Sequence, residues 1–174
     1  MNTSGRLRDL TWTALFVALV AVATIVIQIP TIATGGFINV GDTMIFVAAL
    51  VGGPQMGLIA GGLGSALADV LTGYAHWAPW TLVIKGIEGS IVGVIAYRSY
   101  RRHGPLHHRT LLGMGVAALW MVFGYYVAGG VMRGFAAALS AVPADLVQGL
   151  GSIVIALPVL GAVRKLRIGN APDN

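Results

Sequence analysis

The sequence predicts an all-α integral membrane protein with six transmembrane helices and both termini in the cytoplasm. Three observations carry that expectation. Of 174 residues, 56% are hydrophobic and only 10% charged, whereas a soluble domain carries about 25% charged residues; mean hydropathy is +0.82. Apolar runs of membrane-crossing length recur along the chain. Finally, nine of the eleven basic residues share one side of the membrane only if the chain crosses six times.

A helix needs roughly 20 apolar residues to cross the hydrocarbon core. The first span, about 10–29, runs from Leu10 to Ile29 without a charge. It is too long for the apolar core of a signal peptide, and no small-residue cleavage site follows it. From Asp42 to Leu71 the reading is open: one long helix, or two short ones, about 42–53 and 54–72, broken at Gly52-Gly53-Pro54. Proline removes a backbone donor and keeps the preceding residue out of helical angles, and the glycines weaken the helix further. The remaining spans are about 78–97, despite Lys85 and Glu88, then 110–130, and 143–163 with a kink expected at Pro158.

Charge parity decides between five and six spans. With six, the cytoplasmic side receives Arg6 and Arg8, then Arg98, Arg101, Arg102 and Arg109, then Arg164, Lys165 and Arg167. With five, the last seven of these fall outside, against the positive-inside rule. The pI near 10.1 is thus a topology signal and not the footprint of a nucleic-acid binder. The longest mainly polar stretch is Arg98 to Arg109, so a single transmembrane domain over 1–174 is expected.

Several function classes are excluded. The chain has no cysteine, so thiolate metal sites and cysteine nucleophiles are out. No G-x-x-x-x-G-K-[ST] phosphate loop is present, so ATP-driven work needs a partner that carries the ATPase. His103, His107 and His108 have metal-like spacing, but Gly104-Pro105 interrupts any helix there and four arginines surround them. A solvated loop is expected, with no metal, no cofactor and no catalytic set.

The polar residues gather in the outer half. Expected outer loops are Pro30 to Gly41, Gly73 to Trp77 and Gly130 to Val142. Asp42 opens the second span, Asp69 lies near the outer end of the third, and Lys85 and Glu88 sit on one face of the fourth. Arg133 follows the fifth span and Asp145 opens the sixth. Ionisable groups at membrane depth are costly and normally face a bundle interior or a watered cavity. Each also has a plainer reading: Asp42 and Asp145 as first-turn acids favoured by the helix dipole, and Lys85 and Glu88 as a mutual i,i+3 pair. Their joint placement with Asn39, His76, Trp77, Trp80, Tyr125, Tyr126 and Gln148 nevertheless suits a small, flat, polar ligand held among aromatic rings; an interfacial aromatic belt is the alternative for the rings. The expected ligand-binding set is Asn39, Asp69, His76, Trp80, Lys85, Glu88, Tyr126, Arg133, Asp145 and Gln148.

Small residues recur at four-residue spacing: Gly57, Gly61 and Ser65 on the third span, and Gly89 and Gly93 on the fourth. Such stripes let helices approach closely. Ala14 and Ala18 form an A-x-x-x-A face on the first span, for packing within the chain or for docking a partner in the membrane.

Three groups of residues carry a family resemblance: Phe37-Ile38-Asn39-Val40-Gly41-Asp42, Gly52-Gly53-Pro54, and Gly61-Gly62-Leu63-Gly64-Ser65-Ala66-Leu67-Ala68-Asp69. The stretch from Gly73-Tyr74 through Trp77-Ala78-Pro79 to Thr81-Leu82-Val83-Ile84-Lys85-Gly86-Ile87-Glu88-Gly89 completes the pattern. Together these resemble the substrate-binding S components of energy-coupling-factor (ECF) transporters, in the riboflavin-type branch. The resemblance implies the six-helix S-component fold and a prokaryotic plasma-membrane location. It also implies a vitamin-like ligand near the outer face, and docking through Ala14 and Ala18 onto a transmembrane coupling subunit that carries two cytoplasmic ATPases. Within the family ligands differ. Four acids against two bases in the outer half disfavour anionic vitamins and suit a neutral or weakly basic heteroaromatic: a hydroxymethylpyrimidine, a pyridoxine-type vitamer or riboflavin. The competing expectation is a self-sufficient membrane carrier working without an ATPase, although the inverted repeats and broken midplane helices usual for such carriers are not evident.

Overall fold

The computed structural model describes residues 3–31 and 36–169. Among them are six helices and one short hairpin: α1 Thr3–Val26, β1 Gln28–Thr31, β2 Gly36–Asn39, α2 Gly41–Gly52, α3 Pro54–Leu71, α4 Ala78–His103, α5 His108–Arg133 and α6 Phe135–Gly169. Four of the helices, α1, α4, α5 and α6, are long and apolar enough to cross a membrane.

The ambiguous stretch from Asp42 to Leu71 is two helices. Gly53 takes φ +91°, a left-handed angle that only glycine adopts at no steric cost, and Pro54 begins α3 where its missing N–H costs nothing. At 12 residues α2 is about 18 Å long. Beyond Asp42 and Thr43 in its first turn it is apolar on every side, and Ile45, Phe46, Ala48, Ala49 and Leu50 are fully buried; a helix of that kind belongs at the centre of a bundle. It packs against α1, α3, α4 and α6.

The small-residue stripes set how near the helices come. A Cβ added at Gly57 would lie 2.5 Å from the Gly89 carbonyl oxygen, and one at Gly61 would lie 2.5 Å from the Lys85 carbonyl oxygen. α3 and α4 are therefore in backbone contact, which brings Asp69 and Lys85 to one interior.

Two segments expected to be outer loops take regular structure instead. Gln28–Thr31 and Gly36–Asn39 pair antiparallel, Gln28 opposite Asn39 and Pro30 opposite Phe37. Pro30 is tolerated because a two-stranded ribbon consists of edges alone. The centre of that expected loop, 32–35, lies outside the described residues. The expected loop from Gly130 to Val142 is helix except at Gly134, which turns the chain with φ +94°. Ala136, Ala137, Ala138 and Leu139 are strong helix formers, and α6 absorbs both Pro143 and Pro158 within its 35 residues. Asp145 consequently sits well inside α6, not in its first turn, so the helix-capping reading of that residue is corrected.

Polarity is inverted relative to a water-soluble domain. Leu7, Val26, Val94 and Val154 are more than 60% exposed, while Asp42, Lys85 and Glu88 are at most 1% exposed. At the end of the bundle remote from the hairpin, Arg164 donates from its guanidinium to the carbonyls of His103 (3.0 Å) and Arg102 (3.3 Å), closing the α4–α5 turn against α6.

Candidate functional site

Three fully buried ionisable side chains form the floor of the site. The Lys85 ammonium on α4 donates to a carboxylate oxygen of Asp42 on α2 and lies 2.9 Å from Glu88 one turn further along its own helix. Two carboxylates thus share one ammonium. Breaking such a buried set costs far more than an exposed pair does, because the partner is left charged and dry.

The network continues toward the hairpin. The Gln148 side-chain amide on α6 donates to the second oxygen of Asp42 (2.9 Å), and its carbonyl accepts the backbone N–H of Asn39 on β2 (2.8 Å). Asn39 in turn accepts the Gly41 N–H at its side-chain oxygen (2.8 Å) and so fixes the entry into α2. One chain of contacts, Asn39–Gln148–Asp42–Lys85–Glu88, ties hairpin, α6, α2 and α4 together.

Above this floor opens a cavity enclosing about 570 Å³ of empty space, its mouth included. Its walls come from α1 (Thr24), β2 (Phe37, Asn39), α3 (Ser65, Asp69), the start of α4 (Trp77, Thr81, Lys85), α5 (Tyr125) and α6 (Ala141, Asp145, Gln148). Trp77 and Tyr125 meet edge to face with ring centroids 5.8 Å apart. The Tyr125 hydroxyl donates to Thr81 (3.2 Å), and the Lys85 ammonium lies 5.5 Å from the centre of the Tyr125 ring.

Of the residues expected from the sequence, Asn39, Asp69, Lys85, Asp145 and Gln148 line this cavity. Glu88 lies beneath it, behind Lys85. His76 is exposed beside the ring of Trp77 (6.2 Å between centroids), and Trp80 is 37% exposed on the outside of α4. Tyr126 packs on Phe135 at 5.6 Å, and Arg133 is exposed at the end of α5. These last four do not line the cavity. Its walls also include Thr24, Phe37, Ser65, Trp77, Thr81, Tyr125 and Ala141, outside the expected binding set. Trp77, Tyr125 and Thr81 are signalled in the sequence by their position near the outer end; Thr24 and Ala141 carry no signal that separates them from ordinary helix residues.

Two groups in the cavity walls lack partners among the described residues: one carboxylate oxygen of Asp69, which is 4% exposed, and the indole N–H of Trp77, which is 5% exposed. A buried polar atom without a hydrogen bond costs roughly 1–3 kcal/mol, which concentrates unused binding capacity at this place. The histidine trio lies elsewhere, at the remote end of the bundle. His107 caps α5, its Nδ1 accepting the Arg109 N–H (3.3 Å) and lying 2.7 Å from the Ser99 hydroxyl.

Fold and cavity together define a multi-pass membrane protein with a small polar site buried at one end of its helical bundle. The sequence model of the family described as "ECF-type riboflavin transporter, S component" matches residues 5–165, and the chain belongs to that family, whose members are transporter components and not enzymes. An uncharacterized protein in the gap 3' region of Pyrococcus woesei is 43% identical over 150 residues, covering 86% of this chain and 97% of its own length. The thiamine precursor transporter HmpT of Lactococcus lactis subsp. cremoris is 28% identical over 145 residues, 83% of this chain and 78% of the relative. A UPF0397 protein of Streptococcus pneumoniae is 33% identical over 76 residues, 44% of this chain and 40% of that protein.

Proposed function

We propose that this chain is the substrate-capture subunit of an ECF-type importer in a prokaryotic plasma membrane, and that its ligand is a heteroaromatic vitamin or vitamin precursor. The observation that carries the reading is the cavity: a pocket walled by rings and acids, sealed below by the Asp42–Lys85–Glu88 set. Aromatic walls with a few placed polar groups suit a flat, polar, neutral or weakly basic molecule. Likeness to a thiamine precursor transporter favours a pyrimidine of the hydroxymethylpyrimidine kind over a pyridoxine-type vitamer or riboflavin.

Six crossings with both termini in the cytoplasm are part of the same reading. α2 and α3 make the second and third crossings as a pair of short helices, and the basic clusters around Arg98, Arg109 and Arg164 then share the cytoplasmic side while the cavity faces outward. Ala14 and Ala18 are exposed on α1 and offer the coupling subunit a smooth face. Through that subunit two cytoplasmic ATPases supply the energy that this chain, without a phosphate loop, does not.

Uptake into cells tests this. Import of a labelled vitamin precursor is expected only when this chain is produced together with a coupling subunit and two active ATPases. Equal uptake by the chain alone would instead establish a self-sufficient carrier.

A further inference from the structure

Most polar groups around the cavity are already used. The Lys85 ammonium is committed to Asp42 and Glu88, and both ends of the Gln148 amide are committed, to Asn39 and Asp42. The remaining basic residue of this half, Arg133, is exposed and does not line the cavity. Lys85 therefore has no uncompensated charge to offer a ligand, and an anionic ligand finds no counter-ion. Among the described residues, what stays open on buried side chains that line the cavity is a carboxylate oxygen of Asp69, an acceptor, and the indole N–H of Trp77, a donor. They come from different elements, α3 and the start of α4, and both belong to the walls of the same cavity.

We infer that Asp69 and Trp77 are the specificity-determining pair of the site, and that they select an amino-substituted nitrogen heteroaromatic: its exocyclic N–H₂ donates to Asp69, and a ring nitrogen or hydroxyl accepts from Trp77. The inference rests on the capture reading and narrows it. A carboxylate facing an amino group gains a charge-assisted hydrogen bond; the same carboxylate facing a carbonyl or hydroxylate oxygen is left unpaired and repelled. Rejection of a ligand that lacks the donor is strong in such a site, because the buried acceptor then has no partner at all.

The test uses the purified full chain in detergent and two probes of one ring size: a hydroxymethyl-aminopyrimidine, and the analogue whose exocyclic amino group is replaced by an oxo group. Dissociation constants are measured by titration calorimetry for the native chain, Asp69→Asn and Trp77→Phe, with the unfolding temperature of each ligand-free variant as the folding control. The native chain is expected to prefer the amino probe by about tenfold or more. Asp69→Asn, whose amide both donates and accepts, is expected to erase that preference. Trp77→Phe keeps the ring and removes the N–H, so it is expected to weaken both probes alike. Unchanged preference in Asp69→Asn, unchanged affinity in Trp77→Phe, or a native chain that favours the oxo probe overturns the inference. If riboflavin or pyridoxine binds while neither pyrimidine does, this inference falls and the capture reading stands. If no vitamin or precursor binds, both fall.

Discussion

Lys85 on α4 and Asp42 on α2 are 43 positions apart in the sequence and form a hydrogen-bonded ion pair whose side chains are 2% and 0% exposed. The pair lies where helices from four parts of the chain converge, and it carries the floor of the cavity. Its consequence for stability is direct.

Lys85→Met leaves the buried acids Asp42 and Glu88 without the ammonium they share. The substitution is expected to destabilise the fold by about 3–5 kcal/mol, read as a lowered unfolding midpoint in detergent. The triple variant Asp42→Asn, Lys85→Met, Glu88→Gln removes all three charges together and is expected to recover most of that loss. A single variant as stable as the native chain would show that the three groups are not mutually dependent.

Backbone contact between α3 and α4 makes a second prediction. A side chain at Gly61 meets the Lys85 carbonyl oxygen, an atom that cannot step aside. Gly61→Val is expected to cost about 1–3 kcal/mol and to weaken ligand binding as Lys85 shifts. Val at Gly115, where nothing lies within 4 Å of an added Cβ, serves as the control and is expected to leave binding unchanged.

The exposed face of α1 separates capture from transport. Ala14 and Ala18 are exposed and do not line the cavity, so with Ala14→Trp or Ala18→Trp ligand affinity in detergent is expected to stay within about twofold. Uptake through the coupling subunit is expected to fall by about tenfold or more, because a small-residue docking face tolerates no bulk. Uptake at the native rate in both variants would place the docking face elsewhere.

His107 supplies a pH dependence at the opposite end of the bundle. Withdrawal of its ring from water, then the neighbouring His108, His103 and Arg109, hold its pKa below the ordinary 6.5. The unfolded chain therefore takes up this proton at a higher pH than the folded one. The stability contributed by the neutral ring is complete above the ordinary value and is lost as pH falls through the lower folded-state value. The cap gives the same sign, since Nδ1 must be unprotonated to accept the Arg109 N–H. Unfolding midpoints measured from about pH 7.5 down to about pH 5 are expected to fall, and His107→Asn, which keeps an acceptor without titrating, is expected to flatten that slope.

Much of this was legible in the chain because it rests on local chemistry. Gly53 and Pro54 permit the break between α2 and α3, which charge parity then selects, and the long apolar runs announce the four longest helices. Residues outside that reach depend on helical phase and on distant partners. Tyr125 and Tyr126 are adjacent and chemically alike; only the seat of α5 against α4 turns Tyr125 to Thr81 and leaves Tyr126 on Phe135. Lys85 pairs with Glu88 as i,i+3 spacing suggests, but its contact with Asp42 depends on how α2 sits in the bundle. Trp77 reads equally as a belt residue and as a wall of the cavity until Tyr125 is seen against it. The continuation of α6 upstream to Phe135 was hidden by Pro143, which a helix supported on both sides absorbs.

The central claim, that this chain by itself captures a vitamin-like molecule, is tested most directly by a thermal-shift titration of the purified protein in detergent against B-vitamins and their precursors, with no coupling subunit or ATPase present. At 100 times its dissociation constant a ligand stabilises the folded state by about 2.7 kcal/mol. A saturable rise of that size is expected with a heteroaromatic of the pyrimidine kind, and a smaller one in Asp69→Asn at the same ligand concentration. A folded protein whose unfolding midpoint moves with no compound in the set would contradict the claim.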